Sequence, residues 1–186
     1  MKRPAAWGWL GWGFLTLTAG ALAFSCSAGA QSRDERAVRA AYVFNLIKYV
    51  EWPAPEKELV IGFAGDAATG EVMEKMLSGR TSDTRTIRVV LSPTDAELAR
   101  CSVLYIADVP AAEVRKALEK VKGRGVLTVG ETGSFARDGG MVGLVNSGDH
   151  IQIEVNLEAA QTAGIRISSR VLNLAAIVRP GQKGGS

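Results

Sequence analysis

Few side chains in this sequence could perform chemistry, and their spacing completes no cofactor motif. The segment Gly65-Asp-Ala-Ala-Thr-Gly70 has the glycine spacing of a phosphate-binding loop. Such loops continue with a lysine and a Ser or Thr, whereas Glu71 and Val72 follow here, and a carboxylate would repel phosphate. The loop therefore indicates a strand-to-helix turn that needs glycine geometry. Gly130-Glu-Thr-Gly133 completes no dinucleotide fingerprint either, so no cofactor is predicted.

Histidine, cysteine and aspartate chemistry is equally limited. His150, the sole histidine, lies in a predicted turn beside Asp149, where an imidazole is more often solvated than catalytic. A zinc site needs several His or Cys ligands, and beyond residue 30 the sequence has one of each, His150 and Cys101. Aspartates near predicted turns act there as caps: Asp66, Asp83 and Asp95. The sequence thus favours a binding protein over an enzyme or a metalloprotein, and a hydrolase would need a nucleophile that the pattern does not offer.

The first thirty residues have the three-part pattern of a secretory signal peptide. Met1-Lys-Arg3 supply positive charge, the run Trp7–Phe24 is uncharged, and Ala28-Gly-Ala30 place small residues before a cleavage point. An uncleaved membrane anchor is the alternative, because about 18 apolar residues approach the length that spans a bilayer. Lipidation at Cys26 is disfavoured, since the bulky Phe24 stands where such sites take small residues. We predict a cleaved signal peptide over residues 1–30 and an exported chain.

The composition of the full sequence is that of an ordinary globular protein. Hydrophobic residues make up 47% of the sequence and charged residues 22%, which is typical of a soluble domain. Lys2 and Arg3 leave with the leader and no acid does, so the formal net charge of +3 falls to +1. Nothing in this balance resembles a nucleic-acid-binding protein. Cys101 then stands alone as the candidate redox residue, and its place at the start of an apolar run favours a buried, inert thiol.

Apolar periodicity predicts alternating helices and strands after the leader. A helix over Arg33–Val50, with Arg36 and Arg39 on its solvent side, ends because Pro53 cannot continue it. Strands are predicted over 58–64, 86–91, 102–107 and 125–129, and helices over 68–77, 95–100 and 111–121. Regular alternation with continuous apolar strands predicts an α/β fold, a mostly parallel sheet flanked by helices in a Rossmann-like three-layer sandwich.

The pattern changes after residue 139. Met141–Val145 and Ile151–Val155 are two strands separated by five turn-forming residues, which predicts an antiparallel hairpin. Alternating apolar and polar residues place the second strand near the sheet edge. Helices over Leu157–Ala163 and Ser168–Val178 follow, and a polar, glycine-rich tail over 180–186 is predicted to be disordered. The folded part is predicted to be one domain over residues 31–179.

The run Ala40–Pro53, A-A-Y-V-F-N-L-I-K-Y-V-E-W-P, resembles the opening helix of the YfiR family of periplasmic proteins. Later segments agree in order: Cys101–Ile106, Leu127–Gly130, Phe135 with Gly139–Met141, Ile153–Ala160 and Ile167–Ala175. The resemblance implies a periplasmic regulator that binds the sensor domain of an inner-membrane diguanylate cyclase, represses it and lowers cyclic di-GMP. It also implies a homodimer and redox-sensitive disulfides. This chain departs from the family on the disulfides, because the exported form keeps only Cys101.

The resemblance and the pattern together nominate residues for partner binding. Asn45 and Lys48 are polar members of the opening helix, and Glu154, Ile165 and Leu172 belong to the C-terminal run near a predicted sheet edge or helix. We expect the reversal Glu154→Lys to weaken partner binding without unfolding the domain. Core packing or plain solvation is the competing interpretation for each residue. A second class of function stays open, a periplasmic carrier or sensor that holds a small ligand in the crevice at the strand ends.

Overall fold

The structure, a computed structural model, describes residues 27–53 and 57–181 of the chain. Most of the predicted signal peptide, 1–30, and most of the predicted tail, 180–186, lie outside the described residues. Within the described ranges, no helix is long and apolar enough to cross a bilayer.

Helices and strands alternate along the described chain. The helices are α1 Ser27–Ile47, α2 Ala67–Leu77, α3 Asp95–Leu98, α4 Ala111–Val121, α5 Leu157–Thr162 and α6 Ser169–Leu172. The strands are β1 Val50–Glu51, β2 Glu58–Ala64, β3 Thr81–Ser82, β4 Arg85–Leu91, β5 Val103–Ile106, β6 Leu127–Gly130, β7 Val142–Ser147, β8 His150–Val155, β9 Arg166–Ile167 and β10 Ala175–Ile177. The short strands β1, β3, β9 and β10 were not expected from the sequence pattern.

An eight-stranded sheet in the order β10-β8-β7-β6-β5-β2-β4-β3 forms the centre of the fold. Its central strands run parallel, whereas β7 and β8 form the predicted antiparallel hairpin and β3 pairs antiparallel with β4. A separate two-stranded sheet joins β1 to β9. The prediction of a mostly parallel α/β sheet with a C-terminal hairpin is therefore confirmed.

Helices cover both faces of the sheet. Successive strand residues point to opposite faces, so the apolar residues of one strand contact helices on both sides. In β5, Val103 and Tyr105 belong to an apolar cluster with α1, α2 and α5. Leu104 and Ile106 belong to a second cluster with α3, α4 and the buried Phe135. One cluster lies on each face of the sheet. The sheet and the helices on its two faces are the three layers of the predicted sandwich.

The C-terminal segment differs from its prediction of one helix over Ser168–Val178. The helix α6 ends at Leu172, and β10 follows as an added parallel strand beside β8. The outer edge of β8 has backbone groups that need partners, and Val178 N–H bonds to Val155 O at 2.9 Å. An edge strand satisfies these groups, whereas a continued helix would leave them to water. The strand β8, predicted near the edge, therefore lies one strand inside it.

The first helix also ends earlier than predicted, at Ile47 rather than Val50. Val50 leaves the helix because it pairs with Ile167 between β1 and β9. Beyond this pair, Trp52 donates its indole N–H to Ser102 O at 2.9 Å. The chain after α1 is thus fixed to the start of β5.

Phe135 sits in a slot formed by two glycines, which gives a test of the second cluster. It is fully buried, and a Cβ added at Gly130 or Gly140 would overlap its ring. We expect Gly140→Ala to lower the free energy of unfolding by about 1–3 kcal/mol, because the ring must shift in a packed core. Urea denaturation measures the change. Gly133→Ala is the control, since its Cβ would meet only Val145 at 4.0 Å, and equal stability of the two variants would contradict the prediction.

Candidate functional site

A buried polar network joins α1 to the carboxyl ends of the sheet strands. Arg39 is 6% exposed, although its position predicted a solvent-facing side chain. Its guanidinium donates to Leu144 O at 3.2 Å, to Glu35 Oε1 at 2.7 Å and to Asn146 Oδ1 at 2.7 Å. One of its nitrogens also lies 3.5 Å from Glu131 Oε2. Arg39 therefore ties the helix to β7 and to the loop after β6.

Glu131 continues this network into the sheet. It directly follows β6 and accepts a hydrogen bond from the hydroxyl of Tyr105, a fully buried residue of β5 whose ring stacks on Phe63. Burial raises the pKa of the Glu131 carboxyl above its ordinary value of 4.5, while the hydrogen bond from Tyr105 and the charge of Arg39 act in the opposite direction. Arg39 is thus the cation that makes an ionised carboxylate tolerable at this depth.

The raised pKa of Glu131 predicts the sign of one pH effect on stability. Above pH 4.5 the unfolded chain releases this proton while the native chain still holds it, so the free energy of unfolding falls as pH rises through the raised pKa. We expect Glu131→Gln to lack this loss and to gain stability relative to the wild type as pH rises. Urea denaturation between about pH 4 and 8 measures the difference between the two proteins.

Glu35 provides a control of opposite sign for this pH effect. The hydrogen bond from Arg39 is the main cause that lowers the pKa of Glu35. Its stabilising contribution is present above the unfolded pKa and is lost as pH falls through the folded pKa. Glu35→Gln should therefore lose stability relative to the wild type as pH rises towards the unfolded value of 4.5, so the urea series for this pair starts well below that pH. The assignment fails if both glutamine variants change in the same direction.

A cleft of about 420 Å³ opens on the other face of the sheet, where β2 and β5 end. The strand order reverses between these strands, since the chain leaves β2 for β4 on one side and later places β5 on the other. Ligands of open α/β sheets bind at such points. Apolar residues and charged residues line the cleft, among them Leu104, Ile106, Val109, Glu113, Lys116 and Lys120.

The open edge of the sheet at β10 is the most exposed apolar feature of the described chain. No described strand pairs with the outer side of β10. Leu174, just before the strand, is 80% exposed, and Ile177 within it is 48% exposed. We refer to Leu174–Ile177 with the flanking Arg170 and Arg179 as the β10 edge.

The opposite edge of the sheet is protected by local contacts, in contrast to the β10 edge. There, Ile87 N–H bonds to Arg80 O at 2.7 Å, and Val89 N–H bonds to Ser78 Oγ at 3.1 Å. The short strand β3 also pairs with β4. Proteins commonly cover or blunt edge strands in this way, because free edges recruit other chains. The β10 edge lacks that protection within the described residues.

A family profile described as YfiR/HmsC-like matches residues 36–176, from the first helix into β10. The chain belongs to the YfiR/HmsC-like family. The matched range includes Arg39, Glu131 and most of the β10 edge. No curated protein sequence gives a significant match.

Among solved structures, the chain is similar to the ABC domain from Streptococcus pneumonia in complex with L-Trp. The TM-score is 0.53 and the identity is 11%, over 77% of this chain and 62% of that one. The chain thus spans less than two thirds of that structure. At this identity the likeness shows the α/β fold alone and adds nothing on ligands.

The family fold brings two of the five predicted partner-binding residues to the surface near the C-terminal segment. Asn45 and Lys48 are exposed at the end of α1 and hydrogen-bond to each other at 3.3 Å. The next residue, Tyr49, accepts a hydrogen bond from Ser168 N–H at 2.9 Å, and its ring lies 5.9 Å from the guanidinium of Arg170. The end of α1 and the start of α6 thus form one continuous surface.

The other three predicted residues are less accessible. Glu154 is 4% exposed and Ile165 is 2% exposed, so neither side chain offers a surface to a partner, and these two predictions are wrong on accessibility. Glu154 is buried because β10 covers β8 and Arg137 pairs with its carboxylate at 2.6 Å. Leu172 is half-buried at the end of α6 and packs against the larger apolar cluster.

Cys101 is buried and free, as its place before an apolar strand indicated. Its thiol donates to Glu97 O at 3.3 Å, and burial raises its pKa. Both features oppose formation of the reactive thiolate. These surroundings favour the inert thiol predicted from the sequence, and a redox role for Cys101 stays an untested prediction.

Sequence reasoning missed the network residues and the β10 edge. The spacing of Glu35 and Arg39, four residues apart on one helix, was a signal for an ion pair. Glu131 directly follows a buried strand, and such positions lie at the carboxyl edge of a parallel sheet. Only the assembled fold could show that β10 ends the sheet and leaves Leu174 uncovered.

Proposed function

We propose that this chain is a periplasmic regulatory protein that binds an inner-membrane sensor and holds it inactive. Membership of the YfiR/HmsC-like family carries the proposal. The sensor is a diguanylate cyclase, so the chain lowers cyclic di-GMP in the cytoplasm. The chain reaches the periplasm through a cleaved signal peptide over residues 1–30, acts without catalysis or a cofactor, and is a homodimer.

The structure supports a binding role through the β10 edge. An uncovered strand with exposed apolar side chains is the kind of feature that recruits another polypeptide. The edge includes Arg170, whose guanidinium lies 5.9 Å from the ring of Tyr49 at the end of α1. Through this contact the exposed residues Asn45 and Lys48 extend the same surface. We assign the partner contact to this surface.

Cyclic di-GMP measured in living cells tests the proposed function. Deleting the chain should raise cyclic di-GMP, and restoring the wild type should lower it again. A form that lacks residues 1–30 should not restore the low level, because it stays away from the periplasm. An unchanged level after deletion would contradict repression of a cyclase.

Leu174→Asp tests the assigned surface in the same cells. The substitution puts a charge at an 80% exposed position, so it should leave folding intact and raise cyclic di-GMP towards the level of the deletion. Leu91→Asp, at a 39% exposed leucine near the opposite edge, is the matched control and should repress normally. Equal repression by both variants would show that the β10 edge does not contact the sensor.

The cleft at the ends of β2 and β5 favours a second candidate, a small-ligand carrier or sensor. Its apolar floor and charged rim suit a small molecule with an apolar body. The half-buried Ala117 lines it, so Ala117→Phe should fill it. Native mass spectrometry of the protein purified from the periplasm would show a retained ligand in the wild type and not in this variant. The absence of any retained mass would count against this function.

A further inference from the structure

The backbone of β10 leaves hydrogen-bonding groups directed away from the sheet. Val178 N–H bonds inward to Val155 O at 2.9 Å. Along an extended strand, the N–H groups of successive residues point to opposite sides. The N–H of Ile177 therefore points away from β8, where no described strand lies. This outward amide can receive an added strand.

The side chains of the β10 edge offer an added strand an apolar contact on each face of the sheet, because strand residues three positions apart point to opposite faces. Leu174 and Ile177 are 80% and 48% exposed, three positions apart on either side of two alanines. Ala175 and Ala176 are small and leave room for a backbone to approach. An added strand gains affinity from main-chain hydrogen bonds and selectivity from alternate side-chain contacts.

The positive charge at the β10 edge indicates which kind of polypeptide can bind there. The sequence has no Asp or Glu after Glu158, whereas Arg170 and Arg179 flank the strand and are both exposed. Within the described residues, no carboxylate lies within 4.0 Å of either guanidinium. Two copies joined edge to edge would bring like charges together without acids to compensate them. An acidic segment of another protein is complementary to this edge.

We propose that the β10 edge binds an extended, acidic segment of the partner, which adds to the sheet as a ninth strand beside β10. The segment carries apolar residues that contact Leu174 and Ile177 on opposite faces of the sheet, and carboxylates that pair with Arg170 and Arg179. The inference rests on the proposed function for the existence of a protein partner. Beyond that function, the inference specifies that the recognised segment is extended and acidic.

Selection from a random library of 12-residue peptides displayed on bacteriophage tests this inference without the natural partner. The chain purified from the periplasm is immobilised, and the enriched peptides are synthesised and titrated by fluorescence anisotropy. We expect enriched sequences to combine apolar residues with an excess of acidic residues. Arg170→Glu combined with Arg179→Glu should weaken their binding about tenfold or more. Arg100→Glu combined with Arg124→Glu is the matched control at exposed positions and should bind normally.

Two substitutions at one position separate the backbone contact from the side-chain contact. Ile177→Ala keeps the outward amide, whereas Ile177→Pro removes it, and an edge strand tolerates proline at such a position. We expect the proline variant to bind about tenfold more weakly than the alanine variant, as the loss of one hydrogen bond predicts. Circular dichroism confirms that both variants fold, and equal affinities would overturn strand addition.

Other outcomes overturn the inference in distinct ways. Enriched peptides without an excess of acidic residues, or the failure of any peptide to enrich, would contradict the binding of an acidic strand. A wild-type dimer in sedimentation equilibrium that Ile177→Pro dissociates would assign the edge to a second copy. If acidic peptides bind but deletion leaves cyclic di-GMP unchanged, the inference stands and the proposed function fails. If deletion raises cyclic di-GMP but no peptide binds, the function stands and its contact lies elsewhere.

Discussion

Glu154→Lys is expected to unfold the domain rather than to weaken a surface contact. Glu154 is 4% exposed, and its carboxylate lies 2.6 Å from the guanidinium of Arg137. A lysine there would place two cations together in a buried position. Breaking a buried ion pair typically costs about 3–5 kcal/mol, and adding a second charge of the same sign costs more. A loss of this size is a large share of the stability of an ordinary domain.

Urea denaturation measures this effect, with Gln152→Lys as the matched control. Gln152 lies two residues earlier in β8 and is exposed, so a lysine there should change the free energy of unfolding by less than about 0.5 kcal/mol. Glu154→Gln should have an intermediate effect, because it removes the charge of the pair without adding a cation. A soluble Glu154→Lys variant with the stability of the wild type would show that Glu154 is accessible after all.

Arg39→Ala is expected to lower the free energy of unfolding by about 3–5 kcal/mol. The substitution leaves Glu131 buried without its cation and deprives Leu144 O and Asn146 Oδ1 of a donor. It also removes the hydrogen bonds between α1 and β7, so we expect the packing of the whole helix against the sheet to weaken. Arg36→Ala is the control on the same helix, since no described hydrogen bond involves its side chain. Urea denaturation at neutral pH compares the two variants.

A double substitution shows whether the charge of Glu131 causes the loss. If the uncompensated carboxylate is the main cost, Glu131→Gln should restore part of the stability that Arg39→Ala removes. The coupling between the two positions should then clearly exceed the error of the measurement. Additive effects would mean that Arg39 acts only through its contacts with Leu144 and Asn146. A loss below about 1 kcal/mol for Arg39→Ala would contradict the role of the network.

Hydrophobic pattern predicted the central elements well, because long buried strands and amphipathic helices have distinct periods. The strand Glu58–Ala64 has the same bounds in sequence and structure, as does the helix Ala111–Val121. The hairpin also followed from its turn residues. These features are local, so the local sequence determines them.

Features that depend on neighbours in space escaped prediction. The segment Ala175–Ile177 is compatible with a helix or a strand, and the open side of β8 decides between them. The same pairing buries Glu154, although alternation along β8 placed it on a wet face. Arg39 likewise appears polar and exposed on a helical projection, yet the ends of β6 and β7 enclose it. In each case a residue distant in sequence determines the outcome.

Photo-crosslinking in living cells tests the central claim most directly, namely that the β10 edge contacts an inner-membrane sensor. Benzoylphenylalanine replaces Leu174, which is 80% exposed, and in a control protein it replaces the exposed Arg124. After irradiation, mass spectrometry of the membrane fraction identifies the crosslinked protein. We predict one membrane protein with a periplasmic sensor region and a cytoplasmic diguanylate cyclase domain, crosslinked at position 174 and not at 124. Crosslinks only to soluble proteins, or the same products from both positions, would contradict the claim.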